Sequence, residues 1–559
     1  MPTLDISNFN IVVSVLGGWI SLFGLVSYLL KENFYLSEAL ISLLAGITFG
    51  PRALNWVRPI EYAGSVDNLN DVTLFFTRLV LGVQLVLAGV QLPSRYLKRE
   101  WKPLALLLGP VMAAMWLSTG LLVWALVPRL PFLHALAIGA CVTPTDPVLS
   151  NVIVKGKFAD HNVPKDLQKI IIAESGANDG LGYPFLFLAL YLIKYIGDGG
   201  ASESGGSGLA IGLWFGETWG YTILLSVIYG AAVGWLAKRL LHYCEKHKFV
   251  DRESFLVFAL SLALFITGTC GLIGSDDILA CFIAGNVFTW DDCSLQPTID
   301  MLLNVVIFMW YGAVCPWQSF VDNNVISISR LIPLALLILL IRRPPFILGL
   351  YKKIPQVDGI KQATFMGFFG PIGCSAIFYV YVTIKFIKTL NPGGGVVPRE
   401  DVANLEEAVQ VIVWFMVIAS VVVHGLSIPL GKLGFHLPRT ISRSISTPRS
   451  ISFERPSFQM NNLMNDVRRP RSHSRNRTSG HPLDSTNTPV GQAFRIGGSL
   501  IVSKELAQDS RNPQAGDGLG TAQPSGVESQ PAMQSPVAPY RTIRFPDEGV
   551  PCSGQQFEV

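Results

Sequence analysis

Residues 143–150 read Thr143-Pro144-Thr145-Asp146-Pro147-Val148-Leu149-Ser150, with two prolines three residues apart inside an apolar run. Each proline removes a backbone donor and disfavours helix at the residue before it. An unwound stretch is therefore predicted in the middle of a segment otherwise fit to cross a bilayer. Its freed carbonyls, the hydroxyls of Thr143 and Thr145 and the Asp146 carboxylate are hard oxygen ligands of the kind alkali cations take. A proline kink satisfied by the threonine hydroxyls is the plainer alternative. Far along the chain, Gly370-Pro371-Ile372-Gly373-Cys374-Ser375 interrupts another apolar run. Counted along the chain, the two breaks fall in the fifth and twelfth runs. Gly/Pro interruptions in corresponding positions of two halves mark an inverted-repeat transporter, with its site where the broken helices cross.

Working outward, runs of this kind recur to give about 13 spans. They centre near residues 20, 44, 82, 114, 145, 182, 228, 263, 283, 308, 338, 375 and 417. Of the 559 residues, 50% are hydrophobic and 15% charged, against about 25% charged in soluble chains. Mean hydropathy is +0.42. An ordinary soluble enzyme is excluded, and an all-α polytopic membrane protein is expected. The net charge of +4 is too small to suggest nucleic-acid binding. The eight cysteines form no CxxC, so neither a zinc site nor a disulfide framework nor any cofactor is indicated. The opening MPTLDISNFN lacks the basic start of a cleaved leader, so the first run is expected to remain as a span. The composition changes near residue 437. Residues 1–436 are expected to form the membrane domain, and 437–559, rich in Ser, Arg, Pro, Asn and Gln, a disordered tail.

Basic residues gather in alternate loops. Arg95, Lys98, Arg99 and Lys102 follow the third span; Lys155, Lys157, Lys165 and Lys169 stand between the fifth and sixth; Lys238, Arg239, Lys246, Lys248 and Arg252 follow the seventh; Lys352, Lys353 and Lys361 follow the eleventh. The loop GDGGASESGGSG, on the opposite side, has neither Lys nor Arg. The positive-inside rule then places the N-terminus outside and the tail in the cytosol.

A carboxylate at the bilayer centre costs about 2.5–3.5 kcal/mol on insertion scales, so each one needs a reason. Glu174-Ser175-Gly176-Ala177-Asn178-Asp179 lies in the sixth span. Asp179 and Ser175 are four apart and share a helix face, with Asn178 alongside. Glu174 points elsewhere and calls for a different partner. Arg342 and Arg343 stand in the eleventh run, before Pro344-Pro345 and more apolar residues, so one buried arginine paired with Glu174 is expected. The adjacent Asp276 and Asp277 point about 100° apart on a helix, which suits an N-cap and a first-turn residue; the alternative is a cation-attracting vestibule.

TPTDPVLSN, AESGANDGLGYPF, GSDDILACFIAGN, GFFGPIGCSA and VVVHGLSIPL together resemble the fungal plasma-membrane sodium/proton antiporters of the cation:proton antiporter superfamily, over about residues 10–435. The resemblance implies an inverted-repeat fold of about 13 helices with a dimerisation domain and a core that moves like an elevator. It also implies a homodimer in the plasma membrane. By the same likeness, Asp179 carries the exchanged ion and Asp146 belongs to the ion site. Thr143, Thr145, Ser175 and Asn178 stand beside them, Pro144, Pro147, Gly370, Pro371 and Gly373 make the two breaks, and Glu174 pairs with Arg343 or Arg342. Animal relatives carry an arginine inside the second break, where Ile372 stands here.

The expected substrates are Na⁺ or Li⁺, with K⁺ as an alternative, exchanged for H⁺. A cation channel lacks its repeated pore motif here, and an intramembrane aspartyl protease built on Asp179 and Asp276 lacks a second supporting motif. In the tail, basic residues precede Ser442, Ser444 and Ser446, a pattern suited to basophilic kinases, to an adaptor of the 14-3-3 kind and to anionic membrane lipid. A solvated linker is the plainer reading.

Overall fold

The computed structural model describes residues 7–32, 36–147, 149–150, 162–197, 205–249, 252–288, 298–390, 399, 402, 404–445, 493–496 and 499–502. Two units are distinct, Met1–Ser446 and Thr447–Val559. In the first, every described element is helical or a turn. Among the described residues, six helices are by themselves long and apolar enough to cross a bilayer, including Val66–Gln91, Trp101–Leu126, Gly206–Lys246 and Leu405–Pro429. Five shorter apolar helices, among them Glu38–Phe49, Phe132–Cys141 and Asp277–Phe288, occupy further expected spans, and the sixth and twelfth hold Lys165–Gly180 with Gly182–Tyr195, and Cys374–Leu390. The all-α polytopic architecture is therefore present, with a helix at the place of each span read from hydropathy.

The surface is that of a protein solvated by lipid. Leu117, Leu121 and Trp124, at helical spacing on Trp101–Leu126, are about half exposed and form one apolar stripe. Polar and ionisable groups turn inward instead: Asp146, Glu174, Asp179, Asp276, Arg342 and Arg343 are all buried. This inversion is what a bilayer demands, because an unpaired charge facing hydrocarbon is costly.

The breaks fall where the prolines predict them. Helix α1 (Phe132–Cys141) ends before Thr143-Pro144, and helical backbone resumes at Pro147. Proline suits the first turn of the resumed helix, whose N–H groups have no intrahelical partner. Helix α2 (Lys165–Gly180) carries the sixth-span motif and is separated by a turn at Leu181 from α3 (Gly182–Tyr195). Helix α4 (Asp277–Phe288) packs against Val66–Gln91 and against α2. Helix α5 (Ile328–Ile341) stops at Arg342-Arg343, and α6 (Pro344–Leu350) begins at the prolines. The second break separates α7 (Ile360–Phe368) from α8 (Cys374–Leu390). Helix α9 runs from Leu405 to Ile445, so the boundary expected at residue 437 falls within it.

The second unit contributes an antiparallel pair, β1 (Ala493–Ile496) and β2 (Ser499–Val502), with Ala493 opposite Val502. The pair and the last turns of α9, residues 437–445, lie inside the segment expected to be disordered, and the rest of that expectation lies outside the described residues. So does Ser446, while Ser442 and Ser444 fall in the last turns of α9.

Candidate functional site

The two breaks are stitched together at Asp146. Its N–H donates to the Pro371 carbonyl at 3.0 Å. Its Oδ2 accepts the Leu149 N–H at 2.9 Å, and its Oδ1 accepts the Cys374 N–H at 2.7 Å. One carboxylate thus caps two helix N-termini, that of its own resumed segment and that of α8, where the helix dipole favours negative charge. The approach is close because residue 373 is glycine: a Cβ there would sit 2.6 Å from the Asp146 Cγ.

Arg342 does the reverse. Buried at 2% exposure, it donates through Nη1 to the carbonyls of Val142, Thr143 and Pro144, and through Nη2 to that of Gly370. These are the carbonyls freed where α1 and α7 end, so one guanidinium satisfies the negative ends of both broken helices. Arg343 takes the partner expected for one of the two arginines: Nη1 and Nη2 donate to Glu174 Oε1 and Oε2 at 2.5 and 2.8 Å. Both arginines are therefore buried, each on a different task, where the sequence led us to expect one.

Helix α9 holds the second break from the other side. Ser420 Oγ accepts the Ile372 N–H at 2.8 Å, and His424 Nε2 lies 3.0 Å from the Phe368 carbonyl. The His424 Nδ1 lies 2.9 Å from the Ser420 carbonyl and 3.1 Å from Ser420 Oγ, so both ring nitrogens face oxygen. His424 belongs to the VVVHGLSIPL motif, but nothing in the sequence tied it to residue 368.

The hydroxyls read as cation ligands are engaged within the protein. Thr143 Oγ1 donates back to the Gly139 carbonyl at 2.7 Å. Thr145 Oγ1 accepts from Asn178 Nδ2 at 2.7 Å and lies 3.1 Å from Ser175 Oγ, which reaches Ser150 Oγ at 3.2 Å. Asn178 Oδ1 accepts the Thr145 N–H at 3.2 Å, so Asn178 and Ser175 fasten α2 to the first break.

Asp179 differs from all of these. It is 1% exposed, and neither carboxylate oxygen has a hydrogen-bond partner. Buried carboxylates are ordinarily bonded, because burial without a partner is costly. Its backbone carbonyl accepts from the Tyr379 hydroxyl of α8. The Tyr379 ring packs edge-on against Tyr183, centroids 5.5 Å apart. Tyr183 in turn borders a cavity of about 540 Å³ with Tyr191, Glu217, Tyr221 and Ser275.

The aspartate pair follows the cap-and-first-turn alternative. Asp276 Oδ1 accepts the N–H groups of Ile278 and Leu279 at 3.0 and 3.1 Å, while Asp277 accepts from Arg78 Nε at 2.8 Å. Both carboxylates are buried, Asp276 at 0% and Asp277 at 2% exposure, because the first turn of α4 lies inside the helix packing. Arg78 was not singled out in the sequence, since the charge it neutralises lies 199 residues away.

Two interrupted helices crossing beside a buried, unpartnered carboxylate are the arrangement on which broken-helix membrane transporters are built. The family model described as "Sodium/hydrogen exchanger, transmembrane" matches residues 19–430, and the chain belongs to that family. It is 33% identical to a Na(+)/H(+) antiporter of Saccharomyces cerevisiae, over 95% of this chain and 54% of the relative. It is 34% identical to Na(+)/H(+) antiporter 2 of Zygosaccharomyces rouxii, over 80% of this chain and 56% of the relative. A Na(+)/H(+) antiporter of Schizosaccharomyces pombe is 30% identical, over 79% of this chain and 95% of its own length. The chain thus spans little more than half of the first two relatives and nearly all of the third. The solved structure of the sodium proton antiporter MjNhaP1 from Methanocaldococcus jannaschii superposes with a TM-score of 0.52 at 16% identity, covering 76% of this chain and 98% of that one. The fold is the inverted-repeat antiporter architecture that the paired breaks implied.

Proposed function

We propose that this chain is a secondary antiporter that carries Na⁺ or Li⁺ out of the cytosol in exchange for H⁺ across the plasma membrane. The observation that carries the reading is Asp179, a buried carboxylate with two unpartnered oxygens beside the crossing of the broken helices. Such a group binds a proton or a cation but not both well, and that competition couples the two fluxes without further machinery. Asp146 is committed to two helix N-termini and Glu174 to Arg343, and Asp179 is the carboxylate beside the crossing with both oxygens unpartnered. The expected stoichiometry is one cation per proton. The cavity bordered by Glu217 and Tyr183 supplies an approach from one side.

The orientation, with the N-terminus outside and the tail cytosolic, rests on the distribution of Lys and Arg among the loops. The plasma-membrane location and the homodimer rest on the resemblance to the fungal antiporters.

The test is exchange in proteoliposomes under an imposed pH gradient, titrated separately with Na⁺, Li⁺ and K⁺. Wild-type protein is expected to move a cation against its gradient without responding to membrane voltage. Asp179→Asn is expected to abolish exchange while purifying normally. Substantial residual exchange in that variant would overturn the mechanism, and dissipative cation flux without proton coupling would make the protein a channel.

A further inference from the structure

Among the oxygens around the crossing, most lone pairs face a donor already. Thr143 Oγ1 is turned back onto Gly139, the Thr145–Ser175–Ser150 hydroxyls bond one another, and both Asp146 oxygens accept backbone N–H groups. Among the described residues, the buried oxygens near Asp179 that stand outside this network are Asp179 Oδ1 and Oδ2, Ser375 Oγ, and Asp276 Oδ2 beside Gly180. Ser375 is 1% exposed and sits in the first turn of α8, immediately after the second break.

Its placement opposite Asp179 follows from the helix. Ser375 and Tyr379 are four apart and share a face of α8. The Tyr379 hydroxyl bonds the Asp179 carbonyl, so that face is the one turned to Asp179. The Ser375 hydroxyl is accordingly within reach of the Asp179 carboxylate and acts on it as a hydrogen-bonding group, while no bond of ordinary geometry joins them.

We propose that Ser375 Oγ is a cation ligand contributed by the second broken helix, and that with Asp179 it sets which alkali cation is taken. The proposal rests on the reading of Asp179 as the exchange site. A hydroxyl keeps lone pairs for a cation while its proton points away, and alkali cations favour hard oxygen ligands. The spacing between the two ligands is held at two fixed points. Cys374, next to Ser375, donates to Asp146, and Tyr379 lies so close to the turn after Asp179 that a Cβ on Gly182 would sit 2.6 Å from its hydroxyl. Ligands fixed by packing discriminate ions by size, whereas a carboxylate alone discriminates weakly.

The experiment measures apparent KM for Na⁺, Li⁺, K⁺ and Tl⁺ in proteoliposomes of wild type, Ser375→Ala, Ser375→Thr and Ser375→Cys, with Asp179→Asn as reference. Ser375→Ala is expected to raise the KM for Na⁺ about tenfold, equivalent to roughly 1.4 kcal/mol. Ser375→Thr, which keeps the oxygen, is expected to stay near wild type. Ser375→Cys is expected to shift preference from Na⁺ toward the softer Tl⁺, a change that a merely structural role would not produce. If Asp179→Asn is inactive but the Ala and Cys variants keep wild-type KM values and ion ratios, the ligand role falls and the Asp179 reading stands. A uniform KM change for all four ions, without the thallium shift, would make Ser375 a positioning residue and overturn the proposal. An active Asp179→Asn would fail the underlying reading first.

Discussion

Substituting Glu174 tests whether this buried carboxylate holds the fold or the ion. Its two bonds to Arg343 are 2.5 and 2.8 Å long, and the paired side chains are 2% and 3% exposed. Hydrogen bonds to charged groups contribute about 1.5–3 kcal/mol each, and removing one partner of a buried pair costs about 3–5 kcal/mol. In Glu174→Gln the amide keeps one acceptor but turns an NH₂ toward a guanidinium that can only donate. A loss of about 3 kcal/mol is therefore expected. Arg343→Ala also forfeits the bond from Nε to the Met366 carbonyl, 3.0 Å long, and belongs nearer 5 kcal/mol. The two losses should not add, because the second substitution no longer strands a buried charge; a double-mutant cycle measures the difference. The assay is thermal unfolding of detergent-purified protein, with surface quantity in cells as a second readout. The exchanged pair Glu174→Arg with Arg343→Glu is expected to recover part of the stability, and the KM for Na⁺ of the surviving protein should be unchanged. A stable Glu174→Gln with only a shifted cation affinity would refute the reasoning and move Glu174 into the ion site.

Arg342 bonds carbonyls from both breaks, so Arg342→Gln should loosen the two together: amide hydrogen exchange is expected to rise at 142–147 and at 369–374, and unchanged exchange at either would refute the shared role. Truncation after residue 455 is expected to leave exchange intact, measured in proteoliposomes, since no membrane motif lies beyond it. Removing 439–450 is expected to change surface delivery or regulation without changing cation selectivity; altered selectivity at normal delivery would put the tail in the transport path.

Some of this molecule was written locally along the chain. Apolar runs of membrane-spanning length give the helices, since only a satisfied backbone crosses hydrocarbon. Pro144, Pro147 and Pro371 place the breaks, because a missing N–H acts within a turn of its own position. The isolation of Asp179 in an apolar span was equally visible, and so was the need of Glu174 for a cationic partner. What the sequence left open depends on contacts between distant residues. Asp146 and Cys374 are 228 residues apart, and their bond makes the Asp146 carboxylate a cap shared by two helices. Arg342 and Arg343 are adjacent and chemically alike; only the end of α5 at Ile341 and the packing of α2 and α7 around it send one to Glu174 and the other to the freed carbonyls. Ser375 was legible only as part of a helix break, because its relation to Asp179 exists through the face that Tyr379 turns toward α2. Local chemistry fixes where a helix runs and where it stops, but which polar groups meet inside a membrane is decided by how the helices pack.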